Sequence, residues 1–190
     1  MNRIALAMIS RGIGEEVSNL RRALLTIAPH VQGIFITLTG NKDELKGAEE
    51  VCKEFNVNVS YRHDLWEADQ KTVDWLKDFF KYDPQLKIGD KLFLFDEARN
   101  FNFSQVPKDY DWILWMDTDD VFVGGENLPK VLEIGKQHDI KAFYFNYVYQ
   151  SEIDEKERCE TCNTKLDTPK RRIKHVIIEH LRERLIKNEG

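Results

Sequence analysis

The chain has 190 residues, 42% hydrophobic and 32% charged, and a formal net charge of -5 at pH 7. These are the values of a single globular domain with a core of ordinary size, and they exclude a disordered or fibrous chain. The mild acidic excess gives no reason to expect a nucleic-acid partner. No apolar run approaches membrane-spanning length and Met1 leads straight into a strand-like segment, so an integral membrane segment and a signal peptide are not expected and a cytoplasmic protein is.

Ile4 to Ile9 is a short apolar run closed by Ser10-Arg11-Gly12, which predicts a buried strand and then a loop. Val17, Leu20, Leu24, Ile27 and Ala28 recur at helical spacing behind the acids Glu15 and Glu16, which suit a helix N-terminus, and Pro29 ends the helix. Gly33 to Leu38 predicts a second strand. Leu45, Ala48, Cys52 and Phe55 mark one face of a second helix, and Val57 to Tyr61 alternates as a third strand. This β-α-β-α-β order within sixty residues predicts a parallel α/β sheet.

Residues 64–90 interrupt the alternation as an inserted helical segment carrying Trp66, Val73, Trp75, Leu76, Phe79 and Phe80. Lys91 to Phe95 reads as a short strand, and Asp96-Glu97 opens a helix that Pro107 ends. Leu128, Val131 and Leu132 belong to a further helix, followed by the aromatic strand Ala142 to Tyr149. The charged span 151–172 reads as a mobile surface excursion. From His175 to Lys187 a helical and an alternating pattern fit equally well, and periodicity does not choose between them.

The chain's chemistry centres on Asp111-Trp112-Ile113-Leu114-Trp115-Met116-Asp117-Thr118-Asp119-Asp120. Its apolar part predicts a strand buried on both faces. The three carboxylates beyond it repel one another unless a cation or solvent offsets them. Such a set suits Mg²⁺ or Mn²⁺, and in an open α/β sheet ligands sit beyond the carboxyl ends of strands.

Together with Ile9-Ser10-Arg11, with Ala98-Arg99-Asn100 ahead of the strand, and with Arg182-Glu183-Arg184-Leu185 late in the chain, this stretch resembles the inverting glycosyltransferases of family two. The resemblance covers most of the chain and implies one GT-A domain over residues 1–190, a three-layer α/β sandwich with a mostly parallel central sheet. It implies metal-dependent, inverting sugar transfer from a UDP- or GDP-linked donor to an unidentified acceptor, with Mn²⁺ or Mg²⁺ as cofactor. Ser10 and Arg11 would border base and ribose, Arg99 the base or diphosphate, and Asn100 would hold that loop. Asp117 would bind ribose or the metal, Asp119 would ligate the metal, Asp120 would support them, and Arg184 would approach the diphosphate. Two features depart from the pattern. Leu38 stands where relatives carry a base-reading acid, and the sequence ends at Gly190, ahead of the acceptor region that the resemblance leads one to expect.

An inverting transfer needs a base for the acceptor hydroxyl. Asp154 and Glu155, after the aromatic strand, are the candidates. Cys159 and Cys162 supply half of a zinc set, and with Cys52 they make no secreted disulfide framework; two thiols outside any metal site are the expectation. Two other functions fit the same residues. A haloacid-dehalogenase-type phosphotransferase would use Asp117 as nucleophile, although its motif opens the domain and here a full β-α-β-α-β unit precedes it. The other is a non-catalytic nucleotide-sugar or protein-binding module.

Overall fold

The computed structural model describes residues 2–62, 68–80, 85–90, 93–158 and 165–189, with side chains for 2–62, 68–79, 85–90, 93–148 and 181–189. The elements run β1 (Ile4–Ser10), α1 (Glu15–Ile27), β2 (Gly33–Leu38), α2 (Lys46–Glu54), β3 (Asn58–Tyr61), α3 (Gln70–Phe80), α4 (Phe95–Ser104), β4 (Trp112–Met116), α5 (Leu128–Gln137), β5 (Ala142–Arg158) and β6 (Lys165–Lys187). The chain divides into two compact units, Met1–Lys141 with Ile186–Gly190, and Ala142–Leu185. The strands of the first are ordered β3-β2-β1-β4, and β6 and β5 are neighbours in the second.

In the first unit β1 lies between β2 and β4 and pairs with both in parallel, Met8 standing opposite Ile36 on one side and Met116 on the other. Every residue of β1 is buried. The sheet has two covered faces because successive side chains alternate. On one face Ala5, Ala7, Phe35 and Ile113 pack with Val106 and Tyr110, and with Phe103 of α4. On the other, Leu6, Met8, Ile36, Leu38 and Leu114 are buried on the side where Leu45 and Ala48 lie against Leu38, near Gly12. The amphipathic α1 buries Leu20, Ala23, Leu24 and Ile27 there, beside α2. Helices therefore cover both faces, and the layered α/β architecture is as the alternation predicts.

The chain runs outward from β1 through β2 to β3, then returns to place β4 on the opposite side of β1. The carboxyl ends of β1 and β4 consequently flank a topological switch point, where the connections leave in opposite directions and open a crevice. Ser10 ends one strand and Asp117 follows the other.

Two stretches differ from expectation. Phe93 and Leu94 are irregular and Phe95 opens α4, so the apolar run at 91–95 is not a strand over its described part; Lys91 and Leu92 lie outside the described residues. Residues 151–158 and 165–172, expected as a surface excursion, are extended parts of β5 and β6. The helix expected in the 64–90 segment is α3, with Val73 buried. The ambiguous 175–187 span is strand throughout. Within the second unit, Tyr147 receives two guanidinium groups on its ring, Arg182 at 4.5 Å and Arg184 at 5.0 Å.

Candidate functional site

Asp117 lies on the same face of the β4 line as Ile113 and Trp115, because these positions are two apart. That is the face α4 covers. Arg99, on the second turn of α4, reaches this end of the strand: its Nη2 donates to Asp117 Oδ1 at 3.1 Å. Its guanidinium lies 3.9 Å above the Trp115 ring and 5.4 Å from the Phe95 ring. The cation is thereby fixed in plane and position, with about a quarter of its side chain exposed. One turn further along α4, Asn102 is buried and donates through Nδ2 to Phe35 O at 3.2 Å and Thr37 Oγ1 at 3.0 Å. That pair of bonds ties α4 to β2 and sets where Arg99 can reach.

The acidic loop is a tight turn. Asp120 N donates to Asp117 O at 3.2 Å, and Asp117 N donates to Asp120 Oδ2 at 3.0 Å. Helix α1 holds it from the other side: Arg22 Nη2 donates to Asp119 O at 3.2 Å, and Phe122 N donates to Thr26 Oγ1 at 3.1 Å. Asp120 is thus committed to the turn, Asp117 is partly exposed beside Arg99, and Asp119 is exposed to solvent.

The loop after β1 is built around Glu16 in the first turn of α1. Its Oε2 accepts from Arg11 N at 2.9 Å, Gly12 N at 3.3 Å and Ser10 Oγ at 3.3 Å, and its Oε1 lies 3.5 Å from Arg11 Nε. A carboxylate there is favoured by the positive end of the helix. Gly12 has φ +72°, which glycine adopts without strain, and a Cβ on Gly40 would stand 2.0 Å from Arg11 O. The two glycines let the loops after β1 and β2 touch backbone to backbone.

The residues singled out from sequence therefore fall into several groups. Arg99 and Asp117 are paired, with Asp119 two residues on; Ser10 and Arg11 end the neighbouring strand. Asn100 instead lines a separate groove of about 660 Å³ with Phe103, Pro107, Ile113 and Ile186. Arg184 belongs to the second unit, where it is buried. Asp154 and Glu155 fall in β5 and Cys159 and Cys162 between β5 and β6; the thiols and these two acidic side chains lie outside the described residues. Glu16, Asn102, Trp115 and Phe95 were not assigned to the site from sequence. The spacing of Trp115 two residues before Asp117 was the available signal for one of them.

Among the described residues no group of three or more His, Cys, Asp or Glu side chains is arranged to hold a metal. Two carboxylates, Asp117 and Asp119, nevertheless suit Mg²⁺ or Mn²⁺, which keep several positions for water and ligand phosphate and need only one or two protein carboxylates. The donor set fits such an ion.

Comparison of the sequence with protein families and with curated proteins returns no match. Solved structures do match. 4-Diphosphocytidyl-2C-methyl-D-erythritol synthase from Anaerococcus prevotii superposes with TM-score 0.50 at 10% identity, over 99% of this chain and 71% of that one. A second 4-diphosphocytidyl-2C-methyl-D-erythritol synthase gives 0.45 at 11%, over 99% and 76%. S. aureus TarS 1-349 gives 0.44 at 13%, over 85% and 43%. The chain shares the layered α/β fold of the first. At that identity the likeness is one of fold. No helix among the described residues is long and apolar enough to cross a membrane.

Proposed function

We propose that the chain is a transferase that moves a sugar from a nucleotide-sugar donor, UDP- or GDP-linked, to an acceptor, with inversion and with the help of Mn²⁺ or Mg²⁺. The observation that carries this reading is the Arg99–Asp117 pair at the β1/β4 switch point, with the exposed Asp119 beside it. A cation fixed by ring stacking and a carboxylate pair together suit a diphosphate bridged by a divalent ion.

In this reading Arg99 donates hydrogen bonds to the diphosphate as negative charge builds on it. It is already oriented by Trp115, so little side-chain entropy is lost on binding. Asp119 and Asp117 would hold the metal, which would supply positive charge to offset that of the nucleoside diphosphate. The loop formed by Ser10, Arg11 and Glu16 borders ribose and base. Asp120 keeps Asp117 and Asp119 in register through its bond to Asp117 N–H. Arg184 is assigned to the diphosphate, and Asp154 or Glu155 to deprotonation of the acceptor, on the family resemblance alone.

The test is a thermal-shift screen of UDP- and GDP-sugars and the free nucleoside diphosphates, with and without Mn²⁺. Binding to the folded state raises the melting temperature by mass action. A rise that needs both nucleotide and metal, and that Asp119→Ala abolishes, is the expected result. A covalent mass increase on Asp117 after incubation with a phosphate ester and Mg²⁺ would replace this reading with the phosphotransferase one. No shift with any nucleotide would favour the non-catalytic module.

A further inference from the structure

Two aromatic rings beside Arg99, Phe93 and Phe95, stand about half in water. Phe95, the first residue of α4, is 53% exposed, although its ring stands 5.4 Å from the Arg99 guanidinium. Phe93 meets it edge to face at 4.8 Å between centroids and is 45% exposed. The next two residues, Asp96 and Glu97, both face solvent. Glu97 lies 3.8 Å from Arg62.

Leaving the Phe95 ring half in water forgoes the gain of burying it, so an open ring next to a fixed cation is a feature the fold itself does not require. Its geometry is set. Phe93 packs on it edge to face and Arg99 stands at one side, which leaves the ring a defined orientation instead of a free rotor. The π face carries negative potential and attracts the weakly positive C–H groups of one face of a pyranose. Asp96 and Glu97 can only accept hydrogen bonds, and a sugar presents several O–H donors around its ring. Glu97 is offset by Arg62, and the exposed Asp96 carboxylate suits a neutral polyol better than a phosphate.

We infer that Phe95, backed by Phe93 and flanked by Asp96, is a stacking platform for the acceptor, and that the acceptor is a carbohydrate presenting an apolar ring face. This deepens the proposed function and rests on it, since Arg99 is what joins the platform to the donor side. Phe95 would be a binding and specificity residue, with no part in the bond-making step.

The experiment is saturation-transfer NMR on the whole chain with a panel of methyl pyranosides of gluco, galacto, manno and N-acetylgluco configuration. Uridine, cytidine and guanosine serve as comparison probes. At least one pyranoside is expected to receive saturation on the C–H groups of a single ring face. Its affinity should fall about 2- to 10-fold in Phe95→Ala, the size of one aromatic contact, and be retained in Phe95→Trp. Binding of a nucleoside diphosphate with Mn²⁺ to the parent chain is followed by thermal shift, and the melting temperature of ligand-free Phe95→Ala shows the variant to be folded. Saturation of nucleoside base protons that Phe95→Ala removes would overturn the inference and make the ring a donor-base platform. No saturation of any pyranoside, with nucleotide binding intact, would overturn the inference alone. Loss of nucleotide binding in the parent chain would bring down the donor reading instead.

Discussion

Arg99 and Asp117, eighteen positions apart in sequence, meet at 3.1 Å where helix α4 reaches the carboxyl end of β4, and the Trp115 ring lies 3.9 Å beneath the guanidinium. Both side chains are about a quarter exposed, so the pair contributes little to stability, at most about 1 kcal/mol. Its geometry matters more than its strength. Arg99→Lys keeps the charge but loses the planar stack and the paired donors, and Arg99→Ala loses all of them. Melting temperatures of both variants should stay close to the parent. Nucleoside diphosphate binding by calorimetry should weaken about 10- to 100-fold in Arg99→Ala, the size of one or two charge-assisted bonds. Equal affinities in parent and variant would remove Arg99 from the site.

Asn102 gives the opposite pattern. It is 1% exposed, and its amide donates to Phe35 O and Thr37 Oγ1, while Thr37 Oγ1 also shares a 2.8 Å bond with Ser60 Oγ. Asn102→Ala leaves a buried carbonyl with one donor fewer and opens a small void. We expect a loss of about 1–3 kcal/mol in denaturant unfolding. Because α4 carries Arg99, nucleotide affinity should fall with it, even though Asn102 touches neither Asp117 nor the acidic loop. Unchanged stability would mean that helix and sheet are held by apolar packing alone.

How much of this was legible in the sequence follows from what leaves a periodic trace. Strands β1, β2 and β4 are apolar on both faces and α1 and α2 on one, so their patterns predicted them. The acids after β4 stood out because carboxylates seldom cluster at a buried strand's end. The run Leu92-Phe93-Leu94-Phe95 has no length or flanking signal to separate strand from helix entry, and the capping acids Asp96 and Glu97 stood one residue inside the true start. Glu152, Asp154, Glu155, Lys156, Glu157 and Arg158 present no alternation at all, which is why the extension of β5 was unreadable. Asn102 was missed for another reason. A buried asparagine is recognisable only from its partners, and those lie 65 and 67 positions away.

Gly40 tests the contact between the loops after β1 and β2. A Cβ there would stand 2.0 Å from Arg11 O and 3.1 Å from Leu45 Cδ2. The first neighbour is backbone and cannot rotate away. Gly40→Ala must therefore displace the Ser10-Arg11-Gly12 loop from the carboxylate of Glu16. We expect a destabilisation of about 1–3 kcal/mol, the usual cost of overpacking. Nucleotide binding should weaken as well, because Arg11 moves. Gly89 has a positive φ, but a Cβ there would meet nothing within 4 Å, and Gly89→Ala should leave binding unaffected. If both variants bind alike, the loop contact has no bearing on the site.

Cys52 makes a prediction about alkaline pH. Its thiol is one of the buried side chains of α2, 1% exposed, and burial, with a smaller contribution from the nearby Glu49 carboxylate, pushes its pKa from 9.0 up to about 11. Between those values the unfolded chain releases the proton and the folded chain retains it. The folded state then binds more protons than the unfolded one, so stability falls as pH rises. The thiol's contribution is fully present below about pH 9 and is lost on the way to about pH 11. Across that window the slope should approach about 1.4 kcal/mol per pH unit from this group alone. Other groups titrate there too, so the measurement is a comparison of urea unfolding at pH 8, 9 and 10 for the parent and for Cys52→Val, which fills similar space without a proton to lose. The parent should begin to fall away from the variant as pH approaches 9 and fall more steeply from 9 to 10. If they stay parallel to pH 10, the thiol ionises as freely in the folded chain as in the unfolded one, and its burial carries no electrostatic cost.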